Sequence, residues 1–396
     1  MRETEKRILE RSKEVFRNCS LSNGAIIAAD VNNPIYPKDV KWYGYVWLRD
    51  ASFVCYACDL LGMHEISEKF FKWCLDYAEG LREGIFAHKY FPNGRVAGDF
   101  DLSLEENDLK GERKKTVRNY LKTKIFYIQF QPDQLGSLLC SLYEHSKVRD
   151  IGEFKELVEI LANGICRYWK KGYFSVPTFD LWEENIALPK YKQFHVYSLA
   201  SCIKGLEYAL KFEEIESWKS TLKQMKRIFS KCLNYSKNLG YIPRVFGKKI
   251  DTTIDSSLFA LTWPWEQLQA NDEIMVKTVE NILKENEING GIKRYRNDMY
   301  NGQIELGDLK FGKAGSWPIL NYWASIYFFI KGEMERAFKY FKWVNERSLN
   351  GYLPEQVIDD KPASIIPLAW SHAMFVITLN FLENSSKFLM AAKEVN

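Results

Sequence analysis

Amphipathic helical periodicity runs through almost the whole chain of 396 residues and restricts it to a helical fold. Apolar side chains recur every three to four residues, and short turns join one such segment to the next. Strand-like alternation is rare and short, as at residues 240–245. The sequence therefore predicts an all-α fold with helices at residues 3–17, 50–61, 65–81, 133–146, 152–170, 192–211, 214–235, 272–286, 316–331, 333–348 and 368–383.

A weak internal repeat indicates that these helices form hairpins. Gly62 precedes Trp73 by 11 residues, and Gly332 precedes Trp343 by 11 residues. In both copies the glycine ends one helix and acidic residues begin the next, as the helix dipole favours. Hairpins stacked around a ring would form a toroid of inner and outer helices. Two copies also fit a coincidence among amphipathic helices.

No linker rich in Pro, Ser or Thr divides the chain. We therefore predict one domain over residues 1–396, in which residues 1–20 form an N-terminal helix that precedes the ring of hairpins. The polar and charged residues 97–124 are predicted to be a long excursion over the surface and not a domain boundary.

Charge and composition exclude several classes of protein. The 55 basic and 51 acidic residues are well mixed and leave a net charge of +4, so we expect no nucleic-acid partner. The charged N-terminus does not read as a secretory signal, and no apolar run reaches the ~18 residues of a membrane span. Cys55 and Cys58 form one Cys-x-x-Cys motif, and no second one completes a four-ligand zinc site. The eight cysteines therefore indicate reduced thiols in a cytoplasmic protein without a metal site.

The first candidate functional segment precedes the second predicted helix. Residues 42–47 place four aromatic side chains before the adjacent pair Arg49 and Asp50. A helix is predicted to begin here, so Asp50 could be an N-cap, but a cap explains neither the aromatic residues nor the arginine. A carboxylate and a guanidinium beside aromatic walls would bind the vicinal hydroxyls of a sugar.

Glu183 and Glu355 are the candidate acid/base pair. Glu183 follows Leu181 and Trp182, and a carboxyl held against a Trp in a dry pocket has its pKa raised and can act as a general acid. Glu355 follows Pro354, which stiffens the backbone. Two carboxylates far apart in sequence, each beside apolar neighbours, fit acid/base cleavage of a glycosidic bond.

Six motifs, taken in their order, resemble glycoside hydrolase family 15, the glucoamylase and glucodextranase family. Single motifs of this length are weakly specific, but six in one order are strong. Between residues 23 and 376 they read Asn-Gly-Ala-Ile-Ile-Ala-Ala, Tyr-x-Tyr-x-Trp-x-Arg-Asp, Asp-Leu-Trp-Glu-Glu, Gly-Gly-x-x-Arg-Tyr, Pro-Glu-Gln and Pro-Leu-x-Trp-Ser-His-Ala. The resemblance implies an (α/α)6 barrel, which agrees with the hairpins.

The resemblance also implies a role for each matched residue. Glu183 resembles the family's general acid, and Glu355 resembles its general base. Glu184 resembles the neighbour that helps bind the sugar on the leaving-group side. Tyr43 resembles the tyrosine that helps position the base and its water, and Arg49 and Asp50 resemble the pair that grips the terminal glucose. The remaining matches fall on pocket-lining positions: Trp47, Trp182, Arg294 and Trp317.

Two further matches are less specific. Asp133 falls where prokaryotic members keep an Asp that opens a helix, and it could equally be only an N-cap. His372, in the motif Ser-His-Ala, is predicted to be a packed residue and not a catalyst.

The family inverts anomeric configuration, which requires the two carboxyls to lie about 6.5–9.5 Å apart. The resemblance thus implies an exo-acting α-glucosidase that releases β-glucose from soluble α-1,4-linked oligosaccharides and needs no cofactor. Glucodextranase (α-1,6) and trehalase specificities share the same motifs and stay open. A non-catalytic glucan-binding or regulatory protein, or a helical scaffold that binds protein, are alternatives from other classes. The presence of both glutamates favours catalysis.

Prokaryotic members of the family usually carry an N-terminal β-sandwich, and this chain begins almost directly at the predicted barrel. No starch-binding module is recognised, so we expect soluble oligosaccharides as substrates and no digestion of granular starch. The barrel face that the sandwich normally covers is expected to be exposed or to be buried in a homo-oligomer.

Overall fold

A computed structural model describes residues 2–97, 129–305 and 308–394. Every predicted helical segment is present, and most ends agree with the prediction to within a few residues. The α-helices are α1 (Glu3–Cys19), α2 (Leu48–Leu60), α3 (His64–Asp76), α4 (Pro132–His145), α5 (Lys155–Tyr168), α6 (Val196–Phe212), α7 (Glu216–Leu239), α8 (Glu273–Asn286), α9 (Pro318–Lys331), α10 (Met334–Asn345) and α11 (Ala369–Glu394). Short 3₁₀ helices are Gly152–Phe154, Pro189–Tyr191 and Ser256–Leu261.

The inner layer is a closed ring. Helices α2, α4 and α6, the 3₁₀ helix Ser256–Leu261, and helices α9 and α11 pack in that order, and α11 packs back against α2. The outer layer covers them: α3 packs on α2, α5 on α4 and α6, α7 on α6, α8 on the 3₁₀ helix, α10 on α9, and α1 on α11. Inner and outer elements alternate along the chain. The described residues therefore form an (α/α)6 barrel, and the predicted fold class is confirmed.

Burial follows the layers. The outer helix α7 buries one face, with Trp218, Met225, Phe229 and Cys232 at helical spacing. The inner helices α6 and α9 are buried almost all round, as expected for elements enclosed by a second layer. All eight cysteines are unpaired. Within the described ranges, no helix combines the length and apolarity that crossing a membrane requires.

Both copies of the sequence repeat are turns from an inner helix to an outer helix. Gly62, with φ +73°, lies between α2 and α3, and Gly332, with φ +87°, lies between α9 and α10. A Cβ at either position would meet no atom within 4 Å. The left-handed backbone, and not crowding, therefore favours glycine in these turns.

Short antiparallel strand pairs lie in the connections between helices. Of the alternating residues 240–245, only Val245 belongs to a strand. The predicted excursion at residues 97–124 falls outside the described residues, apart from Ala97. The pairs are β1 (Thr178–Phe179) with β2 (Ile186–Ala187), β3 (Phe194–His195) with β4 (Val245–Phe246), β5 (Glu287–Ile288) with β6 (Gly291–Ile292), β7 (Tyr300–Glu305) with β8 (Asp308–Phe311), and β9 (Gln356–Ile358) with β10 (Lys361–Ala363).

Candidate active site

The predicted site residues lie where the inner helices begin. Because inner and outer elements alternate, the inner helices all run in the same direction, and their N-termini meet at one end of the barrel. Arg49 and Asp50 lie in the first turn of α2, and Trp317 is the N-cap of α9. Glu183 lies between β1 and β2, and Glu355 immediately precedes β9. Helix N-termini favour negative charge, so this end of the barrel suits carboxylates.

Arg49 is held by three side chains. Its guanidinium donates to Gln131 at 3.0 Å and pairs with Asp133 at 3.2 Å and with Asp50 at 3.3 Å. Neither aspartate is an N-cap, because Trp47 caps α2 and Gln131 caps α4. The capping interpretation of Asp50 and Asp133 is therefore wrong. Asp133 is fully buried, and its carboxylate orients the arginine.

Asp50 and Arg49 retain unused hydrogen-bonding capacity. Burial raises the pKa of Asp50 to about 6, although the charge of Arg49 opposes this shift. Arg49 Nε has no hydrogen-bond partner among the described residues, and Asp50 Oδ2, which lies 3.3 Å from Arg49 Nη2, accepts no further hydrogen bond there; both atoms are buried. Buried polar atoms are generally hydrogen-bonded. An acceptor and a donor placed side by side can bind adjacent hydroxyl groups of a sugar ring.

A tight turn presents Glu183. Its backbone has φ +64°, a left-handed conformation that is uncommon outside glycine. Asp180 closes the turn, since its Oδ1 accepts from the backbone N–H groups of Glu184 at 2.9 Å and Asn185 at 3.0 Å. The indole Nε1 of Trp47 donates to Glu183 Oε1 at 2.7 Å. The side chain is 31% exposed, so it faces an accessible space.

The pKa of Glu183 is lowered, contrary to the expectation from its aromatic neighbour. Burial does raise it, but the positive charges of His88, Lys89, Arg49 and Lys41 together outweigh burial. His88 Nε2 lies 3.8 Å from Glu183 Oε2. Sequence reasoning did not find His88 or Lys89, and no motif marks them.

Glu184 is tied to a buried arginine. Arg294 Nη2 contacts Glu184 Oε1 at 2.6 Å and Asp298 Oδ1 at 2.6 Å, and Arg294 Nε contacts Asp298 Oδ2 at 2.7 Å. The hydroxyl of Tyr295 donates to Glu184 Oε2. Asp298, which sequence reasoning missed, holds the guanidinium through Nε and through Nη2, the nitrogen that also contacts Glu184.

Aromatic rings surround the same guanidinium. Arg294 lies 5.3 Å from the ring centre of Trp182 and 5.1 Å from those of Tyr300 and Trp317. Trp182 and Trp317 contact each other at 5.3 Å, in an edge-to-face arrangement. Cation–π contacts of this kind stabilise a charge withdrawn from water. Trp182, Tyr300 and Trp317 therefore form an aromatic wall around Arg294.

Glu355 is buried and only 2% exposed. Ser364 Oγ donates to Glu355 Oε2, and Gln356 Nε2 lies 3.5 Å from the same oxygen. Burial raises the pKa of Glu355, while hydrogen bonds from Ser364 and Tyr43 and the charge of Arg294 oppose the rise. The pKa of Glu355 is thus raised, whereas that of Glu183 is lowered. The sequence interpretation had assigned the ionised role to Glu355.

Two tyrosines link the two carboxylates. The hydroxyl oxygens of Tyr43 and Tyr300 are 2.6 Å apart. Burial raises the pKa of both phenols, and the charges of Glu355 and Glu183 raise both further. Tyr43 also donates a hydrogen bond to Glu355, and its ring lies 5.2 Å from that of Trp47, whose indole donates to Glu183. Two adjacent aromatic side chains therefore bridge the two carboxylates.

His372 supports the segment before Glu355. Its Nε2 accepts from the backbone N–H of Leu353 at 3.0 Å, and its Nδ1 contacts Ser12 Oγ at 2.9 Å. Ser12 Oγ donates to the carbonyl of Ile8, so His372 donates to Ser12 through Nδ1 and stays neutral. Burial lowers the pKa of His372 to about 3. The prediction of a packed, non-catalytic histidine fits this geometry.

Contacts connect all the predicted site residues. Tyr43 packs on Trp47 at 5.2 Å, and Trp47 binds Glu183. Arg49 pairs with Asp50, and Arg294 lies against the rings of Trp182 and Trp317. The structure therefore brings together, at one end of the barrel, Tyr43, Trp47, Arg49, Asp50, Trp182, Glu183, Glu184, Arg294, Trp317 and Glu355.

The family profile described as "Glycosyl hydrolases family 15" matches residues 17–380. The chain belongs to glycosyl hydrolase family 15. The resemblance seen in the sequence motifs is thereby confirmed.

The chain is also similar to three known proteins. It is 27% identical to an uncharacterized glycosyl hydrolase of Methanocaldococcus jannaschii over 89% of this chain and 52% of the relative, so it spans about half the length of that protein. It is 23% identical to the isomaltose glucohydrolase of Kribbella flavida over 87% of this chain and 86% of the relative. A solved structure titled "Glycosidase Wild Type" superposes with a TM-score of 0.72 at 19% identity and covers 96% of this chain and 97% of that one. This last likeness shows the fold.

One group of ionisable side chains away from this site has the composition of a metal site. Asp59, His64 and His145 bring ligand atoms within 4.8 Å of one another. Both imidazole Nδ1 atoms lie 3.0 Å from Asp59 Oδ1, so hydrogen bonds account for the arrangement. The absence of a metal and of a cofactor stays a prediction from the sequence.

Gly302→Ala is expected to raise the pKa of Glu355 and so to lower activity. Gly302 has φ +74°, and a Cβ there would lie 1.9 Å from Ser364 Oγ and 3.4 Å from Glu355 Oε2. The methyl group must displace Ser364, whose hydrogen bond lowers the pKa of Glu355. The pKa of Glu355 then rises, the ionised form needs a higher pH, and the acidic limb of kcat/KM should move to higher pH. We expect roughly a tenfold or larger loss of kcat/KM at neutral pH.

Gly62→Ala is the matched control. Gly62 has nearly the same backbone, φ +73°, but no atom lies within 4 Å of its hypothetical Cβ. Both variants carry the strain of a left-handed alanine, about 1–2 kcal/mol, which thermal unfolding measures. Only Gly302→Ala should change the pH profile. Identical profiles for the two variants would contradict the contact between Ser364 and Glu355 as the cause.

Proposed function

We propose that this chain is an exo-acting, inverting α-glucosidase that releases β-glucose from the non-reducing ends of soluble α-1,4-linked gluco-oligosaccharides. The observation that carries this proposal is the aromatic bridge between the two carboxylates: Tyr43 bonds to Glu355 and packs on Trp47, and Trp47 donates to Glu183 at 2.7 Å. In a member of this family, two neighbouring carboxylates can serve as the acid and the base that cleave a glycosidic bond.

Glu183 acts as the acid in this proposal, and Glu355 acts as the base. Glu183 donates a proton to the glycosidic oxygen, and Glu355 removes a proton from the water that attacks the opposite face of the sugar. Glu355 has a raised pKa, which brings its basicity closer to neutral pH and favours general base catalysis. The negative charges of Asp50 and Glu355 also stabilise the oxocarbenium-like transition state.

The two sides of the site bind different sugar rings of the substrate. Arg49 and Asp50, with unused hydrogen-bonding atoms, take the hydroxyls of the terminal glucose. Glu184 and Arg294, which are joined at 2.6 Å, take the sugar on the leaving-group side. We propose further that residues 1–396 act as one domain in the cytoplasm, which agrees with the eight unpaired cysteines.

Cleavage of an α-1,6 bond is the second candidate. The isomaltose glucohydrolase of Kribbella flavida matches over 86% of its own length, so its size is close to that of this chain. The residues that grip the terminal glucose do not distinguish the two linkages. The linkage depends on how the leaving sugar meets Glu184 and Arg294, which share a hydrogen bond of 2.6 Å.

We expect β-glucose as the first product from maltose, maltotriose or isomaltose. Proton NMR of the anomeric signal during the first turnovers, before mutarotation, reads the configuration directly. Trehalose and soluble starch complete the panel, and Glu355→Gln protein is the control for contaminating glucosidase. α-Glucose as the first product from maltotriose or soluble starch, whose released glucose comes from the non-reducing end, would contradict the two-carboxylate assignment, and no release from any of these α-glucosides would overturn the proposed function.

A further inference from the structure

A second cavity lies inside the ring of inner helices, below the candidate active site. It has a volume of about 50 Å³, and its walls come from α2, α4, α6 and the segment that follows the 3₁₀ helix Ser256–Leu261. Tyr56 lies six residues beyond Asp50 along α2, and Glu144 lies eleven beyond Asp133 along α4. At about 1.5 Å per residue, these wall residues are roughly 9–17 Å further down the barrel than the catalytic end.

An aromatic layer separates this cavity from the candidate active site. Phe53, a cavity residue, stacks on Trp370 with ring centres 5.4 Å apart, and it contacts Trp323 at 6.4 Å. Trp370 in turn lies 5.3 Å from the guanidinium of Arg49. Phe53 and Trp370 therefore lie between the cavity and Arg49.

Ser141 gives the wall of the cavity an unsatisfied polar atom. Ser52 and Ser137 also line the cavity, but their hydroxyls donate to carbonyls one turn back in their own helices. Ser141 is only 3% exposed, and its hydroxyl has no partner among the described residues. The same holds for the indole Nε1 of Trp265, a fully buried cavity residue. Buried polar groups are generally hydrogen-bonded, and an oxygen-bearing ligand in the cavity that these two residues line would supply the partner that each atom lacks.

Two carboxylates that line the cavity are already paired with lysines. The side chain of Glu266 is 53% exposed and pairs with Lys204 at 2.5 Å, and Glu144 pairs with Lys147 at 2.7 Å. Burial and then the charges of Glu144 and Glu266 raise the pKa of Tyr56, so its phenol stays protonated. A neutral ligand with hydroxyl groups matches paired carboxylates and phenols better than a cation does.

We propose that this cavity binds a small polyhydroxylated molecule, such as glycerol or one edge of a single sugar ring. At about 10–15 Å³ for each water-sized group, the cavity holds roughly three to five such groups. The rings of Phe53, Tyr56 and Trp263 meet the C–H faces of the ligand, and Ser141 and Trp265 bind its oxygens. This site is independent of the glycosidase reaction proposed above.

Fluorine NMR of protein labelled with 5-fluorotryptophan tests the proposal. Trp263→Phe and Trp265→Phe assign the two cavity signals, and glycerol and D-glucose are titrated separately. We expect a saturable shift of at least one cavity signal with either compound. Ser141→Leu, which fills the cavity, should abolish that shift, while the glucose-induced shifts of Trp47 and Trp182 and the hydrolytic activity remain. Ser141→Ala, which keeps the space, should weaken binding by roughly 2- to 10-fold.

Three outcomes would overturn the proposal. One is the lack of any saturable shift of the Trp263 and Trp265 signals. Another is a shift that persists in both Ser141 variants, which would show transmission from the candidate active site. The third is tighter binding of tetramethylammonium than of glycerol, which would identify a site for cations. Thermal unfolding and retained activity show whether each variant is folded.

Discussion

Glu355→Gln is expected to lower kcat on maltose or isomaltose by about 10²–10⁴-fold and to leave substrate binding nearly unchanged. The amide keeps the shape of the side chain and an oxygen that can accept from Ser364 and Tyr43, which bond to Glu355 in the wild type. It cannot take a proton from water. Steady-state kinetics and the affinity for a slow substrate measure the two effects separately.

Chemical rescue provides the control for the role of Glu355. In Glu355→Ala, azide can enter the space left by the side chain and attack the sugar without a base, so turnover should return and yield β-glucosyl azide. Rescue with retention, which gives α-glucosyl azide, would show that attack does not come from the face of Glu355. A Glu355→Gln protein with full activity would remove the assignment.

The sequence predicted the architecture well because the barrel depends on local patterns. Helical periodicity identified the long elements, and Gly62 and Gly332 marked turns that the structure confirms as inner-to-outer hairpins. The inner element Ser256–Leu261 was missed. It is a 3₁₀ helix of only six residues, too short for an 11- to 18-residue window of periodicity. Without it, the pattern alone could not close a ring of six.

The parts of the site that escaped prediction depend on contacts distant in sequence. Tyr300 meets Tyr43 across 257 residues, and His88 lies beside Glu183. No motif surrounds either residue. Asp133 was recognised, but its function was not, because a helix-opening aspartate is read most simply as a cap. Its pairing with Arg49 becomes visible only when α2 and α4 pack together.

The relative pKa values of Glu183 and Glu355 could not be predicted from local sequence either. Local sequence placed Trp182 beside Glu183 and predicted a raised pKa, but cations from three other segments lower it. The lowered pKa does not by itself remove the acid role. A bound sugar would cover the 31% of the Glu183 side chain that is exposed, and burial is already the largest influence on this group. We assign the acid role to Glu183 because it lies next to Glu184, which with Arg294 binds the leaving-group side in our proposal.

Glu183→Gln is expected to discriminate between leaving groups. Loss of the acid should lower kcat/KM on maltose or isomaltose by about 10²–10⁴-fold, because a sugar alkoxide is a poor leaving group. Hydrolysis of α-glucosyl fluoride or a dinitrophenyl α-glucoside needs little protonation and should be nearly unchanged. The amide oxygen can still accept from Trp47, which donates to Glu183 at 2.7 Å, so the turn should keep its shape.

Glu184→Gln is the matched control for this experiment. Glu184 is the adjacent carboxylate and bonds Arg294 and Tyr295, so its loss should weaken binding of the leaving sugar. The effect should appear mainly as a higher KM for disaccharides, without the dependence on leaving-group acidity that Glu183→Gln shows. If Glu183→Gln loses equal activity on maltose and on α-glucosyl fluoride, Glu183 is not the proton donor. The carboxylate that lies beside Trp47, His88 and Lys89 would then act through its charge alone.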